Sequence, residues 1–181
     1  MADRILAAHQ PNYLPWLGYL SKAGQANVFV VADDVQYTKH GFVNRNRVRT
    51  REGWQCMTVP VRSRGRSGQS ILDVEVDNAQ AWARKCRNTF EWNYSGAPFF
   101  HDHMPFLRDV VAAAPERLLD LLRLLRYLLE QLAIDTEIRL SSELALRPER
   151  SQRLADMASP VAATSIWLAT AARGSIWMKR S

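Results

Sequence analysis

Apolar runs and polar loops alternate over the first fifty residues in a pattern that predicts two buried strands. Residues 5–8 form a short apolar run that ends at a loop containing Pro11 and Pro15. Proline has no backbone N–H to donate, so no helix is expected to cross that loop. Residues 28–32 are an unbroken β-branched and aromatic run, which is typical of a strand covered on both faces.

The segment between these strands, residues 16–27, has the spacing of a helix. Its predicted inner face consists of Leu17, Leu20, Ala23 and Gly24, with Tyr19, Lys22 and Gln25 at the sides. Strand, helix and strand within about 30 residues make a βαβ unit, whose strands pair in parallel. The predicted fold class is therefore α/β, a three-layer, Rossmann-like, mostly parallel sheet flanked by helices.

The remaining pattern predicts a hairpin appended to this sheet and several further elements. The hairpin strands are expected at 42–50 and 55–61, because both segments alternate and a Gly-Trp turn separates them. The other predicted elements are an edge strand at 71–76, a helix at 79–91 capped by Asn78, a helix at 115–131, a strand at 133–140 and a helix at 149–157.

Polar side chains follow both strands of the βαβ unit. His9 and Gln10 come after the first, and Asp33 and Asp34 come after the second. Ligands of open α/β sheets bind at the carboxyl ends of the strands, so chemistry is expected there. His9 on a stiff backbone suits a general base or a capping role, and Asp33 and Asp34 suit an orienting group, a cation ligand or a turn cap.

A second set of residues has the character of substrate-binding groups. Neutral hydrogen-bonding side chains bind sugar hydroxyls and amides. An indole either stacks on a ligand ring or anchors a hydrophobic core. The predicted set is Gln10, Asn12, Tyr13, Trp16, Gln36, Asn44, Arg45, Asn46 and Arg47.

The formal net charge of +6 is concentrated in one segment. Residues 36–66 hold eight Lys or Arg and one acid, Glu52, which gives that segment a net charge of +7. Arginine forks favour anionic partners, so Arg45 and Arg47 are candidate phosphate or carboxylate clamps, with surface salt bridges as the alternative. Arg62, Arg64 and Arg66 lie in a Gly/Ser-rich loop and suit a solvated surface.

Length and composition restrict the class of protein. A chain of 181 residues with 47% hydrophobic and 23% charged residues is expected to form one globular domain. No apolar run reaches the length of a membrane span, and Cys56 and Cys86 have neither zinc nor disulfide spacing, which favours a cytoplasmic protein. No nucleic-acid-binding motif is present, so a small anionic or nucleotide-activated substrate is the expected partner.

The pattern His101-Asp102-His103 provides two histidines at strand spacing. The sequence pattern contains no third ligand at suitable spacing, so no metal site is predicted. The sequence does not identify a cofactor.

Several stretches together resemble the WbqC-like protein family. The longest runs from His9 to Arg47, HQPNYLPWLGYLSKAGQANVFVVADDVQYTKHGFVNRNR. The others are Gly53-Trp54-Gln55, Thr58-Val59-Pro60, Asn93-Tyr94, Ala97-Pro98-Phe99-Phe100 and Ser141-Ser142-Glu143-Leu144, so the resemblance extends from about residue 4 to about residue 157.

This family occurs in bacterial gene clusters for surface polysaccharide, the O-antigen. The resemblance implies a transferase that moves glycine or a similar acyl or aminoacyl group onto an activated sugar. The alternative is a non-catalytic module that binds a nucleotide, an anionic glycan precursor or a protein partner through the arginine segment.

The end of the chain departs from the family pattern. No acidic residue follows Ser159, and Ser-Ile-Trp occurs at both 165–167 and 175–177. The usual continuation of the family, Tyr-Leu-Ser-Gly, a Gly-rich turn and Tyr-Leu-Asp-Glu, is missing. Codons for Ser-Ile-Trp-Leu, read one nucleotide over, can encode Tyr-Leu followed by Ala or Gly, and those for Ser-Ile-Trp-Met-Lys can encode Tyr-Leu-Asp-Glu. We therefore interpret residues 1–158 as a single domain and 159–181 as a tail produced by a frameshift near residue 158.

Sequencing the encoding DNA tests the frameshift. We expect that inserting or deleting one base near codon 158 restores Tyr-Leu followed by Ala or Gly at the first segment and Tyr-Leu-Asp-Glu at the second. If neither alternative frame encodes them, the tail is native to this chain and the hypothesis is wrong.

Overall fold

A computed structural model of the chain describes residues 4–147, 150–158, 165–169 and 175–179. The strands are β1 Ile5–His9, β2 Val28–Val31, β3 Arg45–Thr50, β4 Gly53–Thr58, β5 Glu137–Leu140, β6 Ser165–Ala169 and β7 Ser175–Lys179. The helices are α1 Leu17–Gly24, α2 Trp82–Tyr94, α3 Phe100–Ala112, α4 Leu122–Gln131 and α5 Arg150–Ala158.

The chain divides into two compact units. The first, called the sheet unit, comprises residues 1–11, 15–35 and 129–181. The second, called the hairpin unit, comprises residues 12–14 and 36–128.

The sheet unit is built on five strands in the order β5-β2-β1-β6-β7. β1 pairs in parallel with β2 and with β6, β2 pairs in parallel with β5, and β7 is antiparallel to β6. All four residues of β2 are fully buried, as their unbroken apolar run predicts. The mostly parallel α/β sheet and the βαβ unit at its start are therefore confirmed.

The core of the sheet unit joins strands to the last helix. Leu6 of β1, Val28 and Val30 of β2 and Ile166 of β6 form one buried cluster with Met157 and Ala158 of α5. Burying a Val or Leu side chain is worth roughly 1.5–3 kcal/mol, so this cluster stabilises the pairing of β1 with both neighbours. Of the tail at 159–181, the structure describes β6 and β7, and the other tail residues lie outside the described part of the chain.

The hairpin unit contains the predicted hairpin, with shorter strands than the sequence pattern suggests. β3 and β4 pair antiparallel across a two-residue connection, from Arg45 opposite Thr58 to Thr50 opposite Gly53. Asn46, Val48 and Met57 point to the buried side.

The alternating segment at 71–76 is not an edge strand, so that prediction is wrong. Residues Ile71–Asp73 form a one-turn 3-10 helix that begins at Ser70, whose hydroxyl accepts the N–H of Leu72. Ile71, Val74 and Val76 are buried, although only isolated bridges connect this segment to the rest of the unit. The apolar side chains therefore pack inward from a turn. Alternation of apolar and polar residues occurs in short irregular segments as well as in strands, so it did not distinguish the two.

Several helix boundaries also differ from the sequence predictions. α2 begins at Trp82, and Asn78 does not cap it but bonds the carbonyl oxygen of Pro115 and the indole N–H of Trp82. α3 was not predicted, because Pro105 lies within it. α4 begins at Leu122, seven residues after Pro115.

No helix in the described ranges combines the length and the apolar character that crossing a bilayer requires. This agrees with the absence of a long apolar run in the sequence.

Gly53 should stabilise the hairpin through its backbone conformation. Its φ of +138° is rarely adopted by residues with a side chain, and no atom within 4 Å would contact an added Cβ. We expect Gly53→Ala to lower the free energy of unfolding by about 1–3 kcal/mol, measured by urea denaturation. Gly96→Ala is the matched control, since Gly96 has equal space and no positive φ. Equal losses in the two variants would contradict this origin.

Candidate functional site

His9 is the last residue of β1 and lies half-buried at the carboxyl end of the sheet. Its Nδ1 is 2.9 Å from the backbone oxygen of Gln10. A carbonyl oxygen only accepts, so Nδ1 carries the proton and Nε2 keeps its lone pair. Burial, together with the positive charge of Lys22, lowers the pKa of His9 despite that hydrogen bond. A neutral imidazole with a basic Nε2 is the form that a general base needs.

The buried face of α1 only partly matches the predicted one, because Leu20 and Ala23 are buried and Leu17 and Gly24 are exposed. Leu17 is 79% exposed, whereas Tyr19 and Lys22 are buried beside Leu20 and Ala23. The Tyr19 ring makes an edge contact with His9, with 5.0 Å between ring centroids, and a similar contact with Phe29. α1 therefore packs its polar-tipped side chains, rather than its leucine at position 17, against the start of the sheet.

Lys22 brings a buried ammonium group to the same strand end. Only 4% of the residue is exposed, and Nζ donates to the carbonyl oxygen of Ala8 at 2.7 Å. Burial lowers the pKa of Lys22 to about 8. The sequence pattern predicts this lysine at the side of the helix and does not identify it as a site residue.

Asp33 is fully buried immediately beyond β2, where hydrogen-bond donors surround its carboxylate. It accepts the backbone N–H of Ser142 at 2.9 Å and the Ser142 hydroxyl at 2.6 Å, and Ser141 Oγ lies 3.0 Å from Oδ1. Ser141 and Ser142 directly follow β5. Asp33 therefore fastens the end of β2 to the end of β5.

Asp34 is partly exposed and forms an ion pair with Arg153 of α5. It also accepts a hydrogen bond from Ser141. Partial burial opposes ionisation, but the hydrogen bonds from Arg153 and Ser141 and the charge of Arg153 outweigh it and hold the pKa of Asp34 below its ordinary value. Asp34 is therefore ionised at neutral pH.

Ser141, Ser142 and Arg153 were missed as site residues by the sequence analysis. The rule that pointed to His9 and Asp33 also applies to the end of β5, so Ser141 and Ser142 carried a usable signal. Nothing in the sequence around Arg153 distinguishes it from other arginines on a helix.

Two further predicted residues belong to the sheet unit. Gln10 contributes its backbone carbonyl to His9 and is partly buried. Trp16 precedes α1 and is 58% exposed, with its indole over Gly18, so it is not a core anchor and presents a ring surface to solvent.

Three predicted substrate contacts in the hairpin unit have internal partners. The Tyr13 hydroxyl is buried 3.3 Å from Cys86 Sγ. Asn44 donates its side-chain amide to Val59 O at 2.8 Å, and Asn46 donates to Leu14 O at 2.6 Å. These contacts hold loops of the unit, and a further contact with substrate remains a prediction for each residue.

The other four predicted residues of this unit are more accessible. Arg45 donates to the carbonyl oxygen of His40, and Arg47 is exposed over the ring of Trp54. Gln36 is exposed and forms an isolated bridge to Ser70, and Asn12 is partly buried.

The two histidines of the His-Asp-His pattern lie on α3, not on a strand. His103 Nδ1 is 2.8 Å from the hydroxyl of Tyr127, and His101 is exposed. Among the described residues, no three His, Cys, Asp or Glu side chains converge as metal ligands.

An apolar cavity of about 250 Å³ also lies in the hairpin unit. Phe90, Tyr94, Phe100 and Phe106 contribute to its lining, and none of the predicted site residues does. Its lining offers almost no polar group to an anionic substrate, so this cavity does not fit the expected ligand.

This geometry defines a class of protein. It is an α/β protein with a neutral histidine and a buried ammonium group at the carboxyl end of a parallel sheet. The chain belongs to the WbqC-like protein family, whose model matches residues 10–179. It is also 35% identical over 161 residues to the uncharacterized protein Rv1507c of Mycobacterium tuberculosis (strain ATCC 25618 / H37Rv), which covers 88% of this chain and 69% of that protein. No solved structure matches the chain.

The burial of Lys22 should give stability a distinctive pH dependence. Because its pKa falls from 10.5 in the unfolded chain to about 8 in the native state, the unfolded chain binds more protons between these values. The penalty of burying the charge is full below pH 8 and is relieved as pH rises toward 10.5. Relative to Lys22→Met, the wild type should gain up to about 3 kcal/mol over this window, measured by urea unfolding.

Lys85→Met removes an exposed lysine of α2 and is the matched control. If the stability difference between wild type and Lys22→Met has the same pH slope as that control, burial of the Lys22 charge is contradicted.

Proposed function

We propose that the protein is a transferase that moves an acyl or aminoacyl group onto an activated sugar. The observation that carries this proposal is His9, whose Nδ1 proton is held by Gln10 O and whose Nε2 is therefore a base at neutral pH. The proposed setting is cytoplasmic biosynthesis of a surface polysaccharide such as O-antigen, which the family resemblance supplies.

In the proposed reaction, His9 Nε2 removes the proton from a hydroxyl or amino group of the sugar acceptor. The freed oxygen or nitrogen bonds to the carbonyl carbon of the acyl donor, and the bond from that carbon to the leaving group breaks. The leaving group then takes the proton from His9, which restores the neutral imidazole. No oxidant or reductant is required.

Charged groups of the sheet unit would assist this base without touching the transferred group. Burial of His9 and the nearby Lys22 ammonium both lower the pKa of His9, so the imidazole is neutral and ready to accept a proton at neutral pH. Asp33 and Asp34 were predicted to orient the nucleophile or bind a cation. Their bonds to Ser141, Ser142 and Arg153 favour a positioning role in which they fix the strand ends.

The transferase proposal is tested by incubating the protein with pairs of acyl or aminoacyl donors and nucleotide sugars, followed by mass spectrometry of the products. We expect His9→Gln to reduce turnover by about 10²- to 10⁴-fold, the usual contribution of a general base. Because the pKa of His9 is below its ordinary value, the wild-type rate should be flat above pH 7 and fall on acidification.

His101→Gln is the matched control, since it removes an exposed histidine of α3 and should leave turnover unchanged. Wild-type turnover by His9→Gln would remove His9 from the mechanism. Absence of product from every donor and acceptor pair would reject the transferase.

A non-catalytic binding module is the second candidate function. It is favoured by the outer face of the hairpin, where Arg47 and Arg49 are exposed without a carboxylate partner among the described residues. This candidate predicts salt-dependent binding of an anionic ligand without product formation.

A further inference from the structure

The outer face of the hairpin collects basic and aromatic side chains. Alternation along β3 puts Arg45, Arg47 and Arg49 on one side, and their cross-strand neighbours are Thr58, Cys56 and Trp54. The opposite side of β3 is buried through Asn46 and Val48. The hairpin therefore presents a flat strip of three arginines and one indole, called the arginine strip below.

The charges of the arginine strip are not compensated locally. In residues 4–147, no carboxylate forms an ion pair with Arg45, Arg47 or Arg49. By contrast, Arg62 and Arg66, in the loop beyond the hairpin, both pair with Glu75, at 3.6 and 2.8 Å. Successive outward residues of a strand lie about 6.6 Å apart, so the strip concentrates positive charge in a small area.

Trp54 makes this strip more than a charged surface. The guanidinium carbon of Arg47 lies 4.1 Å from the centre of the Trp54 ring. Stacking uses the π face of the guanidinium and leaves its N–H groups in the plane for acceptors. Trp54 is still 60% exposed, so ring surface not covered by Arg47 faces solvent. Arg47 is thus held in place while both partners remain able to bind a ligand.

We propose that the arginine strip is a binding site for a nucleoside diphosphate, with the base stacked on Trp54 and the phosphates bound by Arg47 and Arg49. A single exposed ring beside adjacent arginines matches one base beside one diphosphate. A neutral sugar would stack on the Trp54 ring and would leave the arginines without an anionic acceptor. A single-stranded nucleic acid would need successive stacking rings along the strip, and the strip has one.

This site extends the proposed function and rests on it in one respect, because a nucleotide-activated sugar carries the same nucleoside diphosphate. Binding itself is independent of turnover. The site therefore assigns Trp54 and Arg49 a role that transfer chemistry at His9 does not require.

Equilibrium titration with separate parts of the ligand tests the site. The probes are UDP, ADP, uridine and inorganic pyrophosphate, measured by calorimetry with the full chain at constant ionic strength. We expect each nucleoside diphosphate to bind at least tenfold more tightly than uridine or pyrophosphate, because ring and phosphates act together. Trp54→Ala should weaken UDP by about tenfold or more and weaken pyrophosphate less, since UDP loses the stacked base whereas pyrophosphate loses only the positioning of Arg47.

Arg49→Ala should weaken UDP and pyrophosphate alike, because it removes a phosphate contact. Two variants provide matched controls. Arg62→Ala removes an arginine of equal charge that is already paired with Glu75, and Trp92→Ala removes another exposed indole, with Arg51 at 5.9 Å. Both should bind UDP as the wild type does.

Equal affinity for pyrophosphate and UDP would reduce the strip to a nonspecific anion surface and overturn the site. Equal losses in Trp54→Ala and Trp92→Ala, with preference for a single-stranded oligonucleotide, would identify a nucleic acid instead and also overturn it. UDP binding that depends on Trp54 in a protein without turnover would reject the transferase and keep the site. If Trp54→Ala turns over with an unchanged KM for the nucleotide sugar, the transferase is kept and the site is rejected.

Discussion

The burial of the Asp33 carboxylate is the constraint on which the carboxyl edge of the sheet depends. A carboxylate without exposure must receive hydrogen bonds, since leaving a buried charge unpaired costs about 3–5 kcal/mol. The donors are the backbone N–H and the hydroxyl of Ser142, which reach Asp33 because β5 pairs with β2 so that Leu140 lies opposite Val31. Any shift of this register would separate the carboxylate from its donors. The end of β2, where the candidate site lies, is thus fixed against the end of β5.

The fold of the sheet unit could be predicted where the sequence signal was long and local. Strand β2 could be predicted because residues 28–31 include no polar residue. The loop after β1 could be predicted because Pro11 and Pro15 exclude a helix there. Helix α1 was harder because its eight residues make little more than two turns. With so few turns, an apolar stripe does not fix the rotation of a helix, and packing buried Tyr19 and Lys22 instead of Leu17.

The candidate site could be predicted by position but not by the partner of each side chain. Parallel pairing made it possible to place His9 and Asp33 at one edge, and β5 follows the same rule. Residue type alone does not show whether an amide faces a ligand or a backbone carbonyl. Asn44 and Asn46 illustrate this, because each binds a carbonyl oxygen of its own unit. The burial of Lys22 could not be predicted from the sequence either, since a lysine on a helix is ordinarily exposed.

The proton equilibria of His9 and Lys22 give the edge one defined charge state at neutral pH. The pKa of His9 is below its ordinary value and that of Lys22 is about 8, so at pH 7 a neutral imidazole coexists with an ammonium group. The Lys22 charge disfavours a second positive charge on His9, so the imidazolium formed in the proposed transfer would hold its proton less tightly than an ordinary one. A base that returns its proton readily suits a reaction in which the leaving group must be protonated in the next step. Above pH 8, loss of the ammonium charge removes this coupling, but burial, the larger cause, still holds the pKa of His9 below its ordinary value, so the imidazole stays neutral.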